Sequence, residues 1–485
     1  MPILIGPARN LVRRPAVIIF LAAALTKLVF GFLVLANAEK IISDPDAIGY
    51  YQLAKNLCAH GVFSRCERPP LIPDNVITPV YPFFLAMLLA LARGSLWMVA
   101  VAQGFINSLA AVLVFKMGER LFSRRAGCIA GICYALDPSA LMHTFSMLTE
   151  SLFAFLFLLA NFFLLQHLQK KSFKNLALSA MLFGLAALCR PVGLYYSVVV
   201  ITILFFATAS TLPERVKNAT LYALVFTLTL SPWLIRNKML FGVANLTSIQ
   251  GNNLLLMNVA HLKAAQEGMT YAAAERLLEA EADSLLVTQG ISSEKLKLEY
   301  HGKPYGYQIN DPQQARVYQK LALEKIMASP LLYLRVHLTG IIPSLLDAGV
   351  RDIYHFRGQE RPLLGLRSLF VTGGLKPALE KLRRSIARDY LILYLLNFSW
   401  LVAHYVLILW ALYKLFTEKK LRSRCLLLAP ILYLLLVTAP QGSERFRFPA
   451  MPYFYLLSGF TLSYFQRGRP VVVTLYSGKR GKRNH

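Results

Sequence analysis

Residues 43–51, SDPDAIGYY, place two carboxylates, Asp44 and Asp46, on either side of Pro45 and just behind a long apolar run. Asp followed by Pro is a helix start: Asp44 is the helix cap and Pro45 fills the first helical position. Asp46 then rides on the first turn, where the helix dipole favours its charge. Tyr50 follows one turn later. Further polar residues stand next to apolar runs: His143, then Glu150 at the head of the next run, Arg190 before Pro191, Arg236 in SPWLIRNKMLFG, and Arg445 and Arg447 in GSERFRFPAMP. Each has a bland reading. Asp46 can serve the dipole alone, an arginine at a span end is usually a snorkelling anchor, and His143 fits an interfacial position. Together they describe a site for an anionic lipid headgroup with acid–base work beside it. Arginines stabilise a phosphate leaving group without protonating it. An incoming hydroxyl needs a base, and one carboxylate is sufficient. Displacement from the face opposite the phosphate inverts the sugar carbon.

The elements that must carry these residues are membrane helices. The chain has 485 residues, 56% hydrophobic and 16% charged, too few charges for a soluble protein of this length. Several runs have the roughly 17–25 apolar residues that cross a bilayer as a helix. Segments near 16–36, 96–115, 126–143, 148–164, 176–188, 194–208, 220–234, 390–416, 426–437 and 453–465 read as spans. Residues 79–92 read as an interfacial helix, and 331–346 as an interfacial or weakly crossing segment, with 363–371 as its partner in the second case. The expected class is an all-α polytopic membrane protein with roughly 10–13 transmembrane helices and amphipathic helices in its outer loops. The formal charge of +27 sits beside the spans, as orientation and anionic headgroups select, so nucleic acid is not an expected partner. The basic N-terminus then lies inside, and so does the basic tail 467–485. Expected divisions are 1–237, with a catalytic outer loop near 37–97; 238–330, a second outer region; and 331–466, a C-terminal transmembrane part. Within that second region, 270–287 and 311–329 have helical spacing. Cys58 and Cys66 share the first outer loop and could form a disulfide in an oxidising space.

The order of motifs resembles that of GT-C-fold membrane glycosyltransferases, in particular the bacterial protein O-mannosyltransferase and lipid A aminoarabinose transferase group. DAIGYYQLAKNL and PPLIPDNVITPVYPFF are similar to its first-loop pattern. LDPSALMHTFSMLTESLFAFLF, ALCRPVGL, LSPWLIRNKMLFG and ERFRFPAMPYF are similar to its later segments. The resemblance implies an inverting transferase with a polyprenyl-phosphate-linked sugar donor and a glycan, lipid or protein acceptor. Its active site would face the periplasm from a bacterial inner membrane. By position it makes Asp46 the catalytic base and Tyr50 and Glu150 substrate-binding. Arg190, Arg236, Arg445 and Arg447 would serve the donor phosphate or sugar. No cofactor is required. Some relatives bind a divalent metal, for which His143 with Glu150 is the local pair. Relatives often carry a basic residue where this chain has Gly49, so Arg65, Arg68 or the later arginines would take its part. Two other classes explain fewer residues. A transporter or flippase for a lipid-linked sugar would put charges at mid-membrane, and an assembly protein would have no use for convergent arginines.

Overall fold

A computed structural model describes residues 14–42, 44–206, 210–349, 351–359, 380, 388–417, 425–439 and 442–465. It is helical throughout, apart from one two-stranded hairpin among the described residues. The first span, α1 (Pro15–Val34), is followed by α2 (Pro45–His60), which starts where the Asp-Pro signal places it. Asp44 Oδ1 accepts from the Asp46 and Ala47 amides at 2.9 and 3.4 Å. Gly61, at φ 66°, closes the helix in the left-handed region that glycine tolerates. Next come α3 (Val80–Leu91), α4 (Trp97–Leu121), α5 (Arg124–Ala135) and α6 (Pro138–Thr144), then α7 (Glu150–Lys170), α8 (Phe173–Cys189), α9 (Tyr196–Phe206) and α10 (Leu212–Phe241). The C-terminal part contributes the short α17 (Arg351–Phe356), then α18 (Arg388–Thr417), α19 (Cys425–Thr438), the short α20 (Glu444–Arg447) and α21 (Met451–Phe465).

Every expected span finds a helix, with corrections. Residues 126–143 are not one span. Asp137 caps a new helix through the Ser139 amide at 3.1 Å, and Pro138 fills its first position, so the chain breaks between α5 and α6. Among the described residues, five helices are long and apolar enough to cross a membrane: α1, α4, α7, α10 and most of α18. Four more apolar segments are shorter: α3, α8, residues 191–206 and most of α19. Close packing depends on small residues, as in other membrane bundles. A Cβ on Gly118 would stand 2.6 Å from Gly127 Cα, and one on Gly127 would meet the Phe115 carbonyl. Lys27, in the first span, is only 3% exposed and donates to the Ala23 carbonyl at 3.3 Å. Sequence reading passed over it.

Residues 249–328 have their own hydrophobic core, separate from that of the membrane bundle. It is built from α11 (Ile249–Asn252), a π-helix (Asn253–Val259), α12 (Ala260–Glu267), α13 (Tyr271–Thr288) and α14 (Pro312–Ala328). Leu255, Leu278, Leu286, Tyr318 and Ala322 are buried at its centre. The hairpin, β1 (Leu296–Tyr300) with β2 (Lys303–Gln308), leans on α2 and the loop after it. There, Glu67 accepts from the His301 and Gly302 amides at 2.8 and 2.9 Å. Gln52 donates to the Glu299 carbonyl at 3.2 Å. Residues 331–346 form two short helices, α15 (Pro330–Thr339) and α16 (Ile341–Leu346), turned by 103° from α14. The suggested partner at 363–371 lies outside the described residues, as does the basic tail. Cys58 and Cys66 are both free thiols. Cys58 Sγ donates to the Ala86 carbonyl at 3.3 Å, so the disulfide open to this pair is not formed.

Candidate active site

A cavity of about 770 Å³ opens where α2, the α6–α7 junction, the α8–α9 turn, residues 249–328 and α20 meet. Its polar end holds Asp44, Asp46, Tyr50, Arg190, Glu444 and Arg445. Its less polar wall includes Leu148, Val192, Leu254, Met257 and Val437.

Arg445 joins the polar end together. Its Nη1 is 2.8 Å from Asp46 Oδ2 and 3.7 Å from Asp44 Oδ2, and its Nε donates to Glu150 Oε1. Arg190 Nη1 donates to the same Glu150 oxygen. One carboxylate therefore sets two guanidinium groups side by side. Burial works against the Arg445 charge, but Glu150, Asp46 and Asp44 outweigh it and hold its pKa well above the ordinary value. Arg445 stays a cation at any working pH. Asp46 is 53% exposed and lies open to the cavity. Tyr50 is buried and packs edge-on to Tyr81, with ring centroids 5.1 Å apart. Burial first, then the Asp46 charge, push its phenol far up, so it is a donor and never a base.

Three expected site residues take other positions. Glu150 is fully buried and does not line the cavity. It holds Arg190 and Arg445. Arg447 is 1% exposed, with Nη1 on the carbonyls of Ser344, Leu345 and Asp347. It ties α20 to α16 and does not line the cavity. Arg236 donates to the Asp74 carbonyl at 2.7 Å and is ringed by Phe63, Trp233 and Phe241. Its planar cation is used on the loop after α2, away from the cavity lining. Asp44 also departs from expectation. Beyond its cap, its second oxygen faces Arg445, so it is part of the charge cluster.

The metal pair is likewise redistributed. His143 Nε2 lies 3.1 Å from Glu444 Oε2, while Glu150 is held by Arg190 and Arg445. Among the described residues no group of three or more metal-ligating side chains comes together. Burial opposes ionisation of Glu444, yet His143 and Arg447 hold its carboxyl below the ordinary range. At Gly49, Arg65 Cδ lies 3.3 Å from where a Cβ would stand. Arg65 thus covers the place left by the missing basic residue, but its guanidinium is turned to Asp74 and Gln308. Sequence reading missed the acids Asp347 and Asp352 as cavity lining, and placed Glu444 beside Arg445 without giving it a role. Asp347 and Asp352 follow residues 331–346, the segment whose course was open, and their facing could not be read.

Residues 75–235 match the family described as dolichyl-phosphate-mannose-protein mannosyltransferase. That segment contains Glu150 and Arg190 and stops short of Asp46 and Arg445 on either side. No curated protein matches the chain. Among solved structures, the archaeal oligosaccharyltransferase AglB from Archaeoglobus fulgidus, in complex with an inhibitory peptide and a dolichol-phosphate, superposes with a TM-score of 0.52 at 13% identity. The match covers 94% of this chain and 51% of that one, so the chain spans about half the length of that enzyme. ArnT from Cupriavidus metallidurans, bound to undecaprenyl phosphate, matches with a TM-score of 0.37 at 14% identity, over 92% of this chain and 77% of that one. That superposition is too loose to argue from. The chain thus has the GT-C fold of membrane glycosyltransferases, and its residues 75–235 are similar to the mannosyltransferase family.

Proposed function

We propose that the chain is an inverting glycosyltransferase. It moves a sugar from a polyprenyl-phosphate carrier to a hydroxyl acceptor on the outer face of a membrane. The observation that carries this reading is the Arg445 bridge, which puts a fixed cation against Asp46 at the polar end of a cavity with apolar walls. A lipid phosphate fits that combination. The phosphate would draw Arg445 and Arg190 toward itself and release Asp46 from its ion pair. Asp46 then takes the proton of the acceptor hydroxyl as its oxygen bonds to the anomeric carbon. The bond from that carbon to the phosphate oxygen breaks, and its electron pair leaves with the carrier phosphate. Arg445 and Arg190 stabilise the charge that develops there. Glu150 keeps both arginines in place, and Tyr50 donates from the α2 side. The fold of the archaeal oligosaccharyltransferase and the mannosyltransferase match both support group transfer from such a carrier. A bacterial inner membrane with a periplasmic active site is part of the same proposal.

Binding of decaprenyl phosphate to the full chain in detergent tests this. Arg445→Ala should weaken it by roughly 10- to 100-fold, the worth of losing hydrogen bonds to a charged group. Unchanged affinity would remove the phosphate from this site.

A further inference from the structure

The cavity has a wall that the transfer chemistry leaves unused. Gln250 on α11, Asn253 and Asn258 on the π-helix and Gln319 on α14 all line it. None of these four carboxamides has a side-chain hydrogen-bond partner among the described residues. No lysine or arginine stands among the cavity residues of these three elements.

Local backbone geometry puts the amides there. Residues five apart on an α-helix point about 140° away from each other, at 3.6 residues per turn. In a π-helix the hydrogen bonds run from i to i+5, so Asn253 and Asn258 come to one side. The π conformation here runs for seven residues, although it is usually confined to single-turn bulges that mark functional sites. Gly251 lets this stretch rest directly on α14. A Cβ there would run into the Ala315 carbonyl. That close approach brings Gln319 to the same wall.

A carboxamide offers two donors and an acceptor in one plane and carries no charge. It pairs with hydroxyl groups that donate and accept in turn, and it gives nothing extra to a carboxylate or a phosphate. We infer that this wall binds a neutral, hydroxyl-rich sugar ring. The inference rests on the glycosyltransferase reading of the cavity and adds the substrate class to it. Two sources share that chemistry: the sugar carried by the lipid, and a glycan acceptor.

The test uses the full chain in detergent. Its probes are decaprenyl phosphate, the same lipid bearing glucose, mannose or N-acetylglucosamine, the neutral glycans maltohexaose and mannohexaose, and a serine hexapeptide. Asn253→Ala and Asn258→Ala remove the amides. Gln319→Ala does so on an exposed position that cannot threaten folding. If the wall holds the transferred sugar, one sugar-bearing lipid binds more tightly than the bare lipid, and each variant reduces that advantage by roughly 3- to 10-fold, the worth of one hydrogen bond. If it holds the acceptor, a hexaose binds, and the variants weaken it by a similar factor without changing the lipids. The inference is overturned if only the peptide binds, or if no sugar-dependent binding responds to any variant. Failure of the bare lipid to bind would instead count against the phosphate site, and the hexaose result would still decide the wall.

Discussion

Asp44 and Asp46 are one residue apart and have different surroundings. Asp44 Oδ1 is committed to two backbone amides, and its other oxygen sits 3.7 Å from Arg445. Asp46 has no capping duty and meets Arg445 at 2.8 Å. Asp44→Asn keeps a capping oxygen, so it should cost about 1 kcal/mol or less in thermal stability and should leave transfer largely intact. A loss of transfer as deep as that of Asp46→Asn would make Asp44 the base. Arg445→Lys is a sharper change than its charge suggests. A lysine is a single charged tip on a flexible stem and cannot hold Glu150 and Asp46 at once as the guanidinium fork does. It should lose most transfer activity while the protein still folds, which a matched size-exclusion profile would check. At this scale the sequence placed the helix cap on Asp44, because Asp-Pro is a local signal. It could not separate Arg445, which faces the cavity, from Arg447 two residues later, which is buried. Arg447 is held by α16 and Arg445 by Glu150 and Asp46, and contacts at such distances along the chain leave no local pattern.

Elements show the same contrast between local and distant causes. The Asp-Pro start recurs at Asp137 and at Asp311. At Asp311 and Asp44 it was legible because polar residues precede it. At Asp137 an apolar run on both sides hid it, and the break between α5 and α6 was read as one span. The hairpin could not be foreseen at all, since its strands are short and it leans on a loop far away in the sequence. Glu67 supplies that contact. Backbone hydrogen bonds from Gly302 first, and from His301, hold its carboxyl below the ordinary range. A carboxyl depressed in the folded state stabilises above its unfolded pKa, and that contribution is lost as pH falls through the folded value. Protection of the His301 and Gly302 amides against hydrogen exchange, corrected for intrinsic rates, should therefore hold at pH 7 and fall below about pH 4. Glu67→Gln should remove the pH dependence. Equal protection in both proteins at both pH values would mean that Glu67 does not hold the hairpin. In the membrane part, Gly127→Val should destabilise by about 1–3 kcal/mol through overpacking, read as a lower unfolding midpoint in detergent. An unchanged midpoint would show that α4 and α5 can separate without loss.

The whole molecule places the cavity between two hydrophobic cores, that of the membrane bundle and that of residues 249–328. Hydrophobic run length was enough to place the helices of the bundle, apart from the break at Asp137. The cavity was not readable, because it exists only where residues 249–328 fold back over α2 and α20. The proposed orientation puts α2 outside, with Cys58 exposed and Cys189 buried. A membrane-impermeant thiol reagent should label Cys58 in intact cells carrying a variant with the other cysteines replaced. Labelling only after the membrane is opened would reverse the orientation. The most direct measurement of the central claim is the mass of envelope glycans from cells that depend on this chain, comparing wild type with Asp46→Asn at equal protein level. The expected result is one sugar residue missing from a defined glycan in the variant, with decaprenyl phosphate still bound by the purified protein. Identical glycans in the two strains would contradict the assignment of Asp46 as the base of a glycosyl transfer.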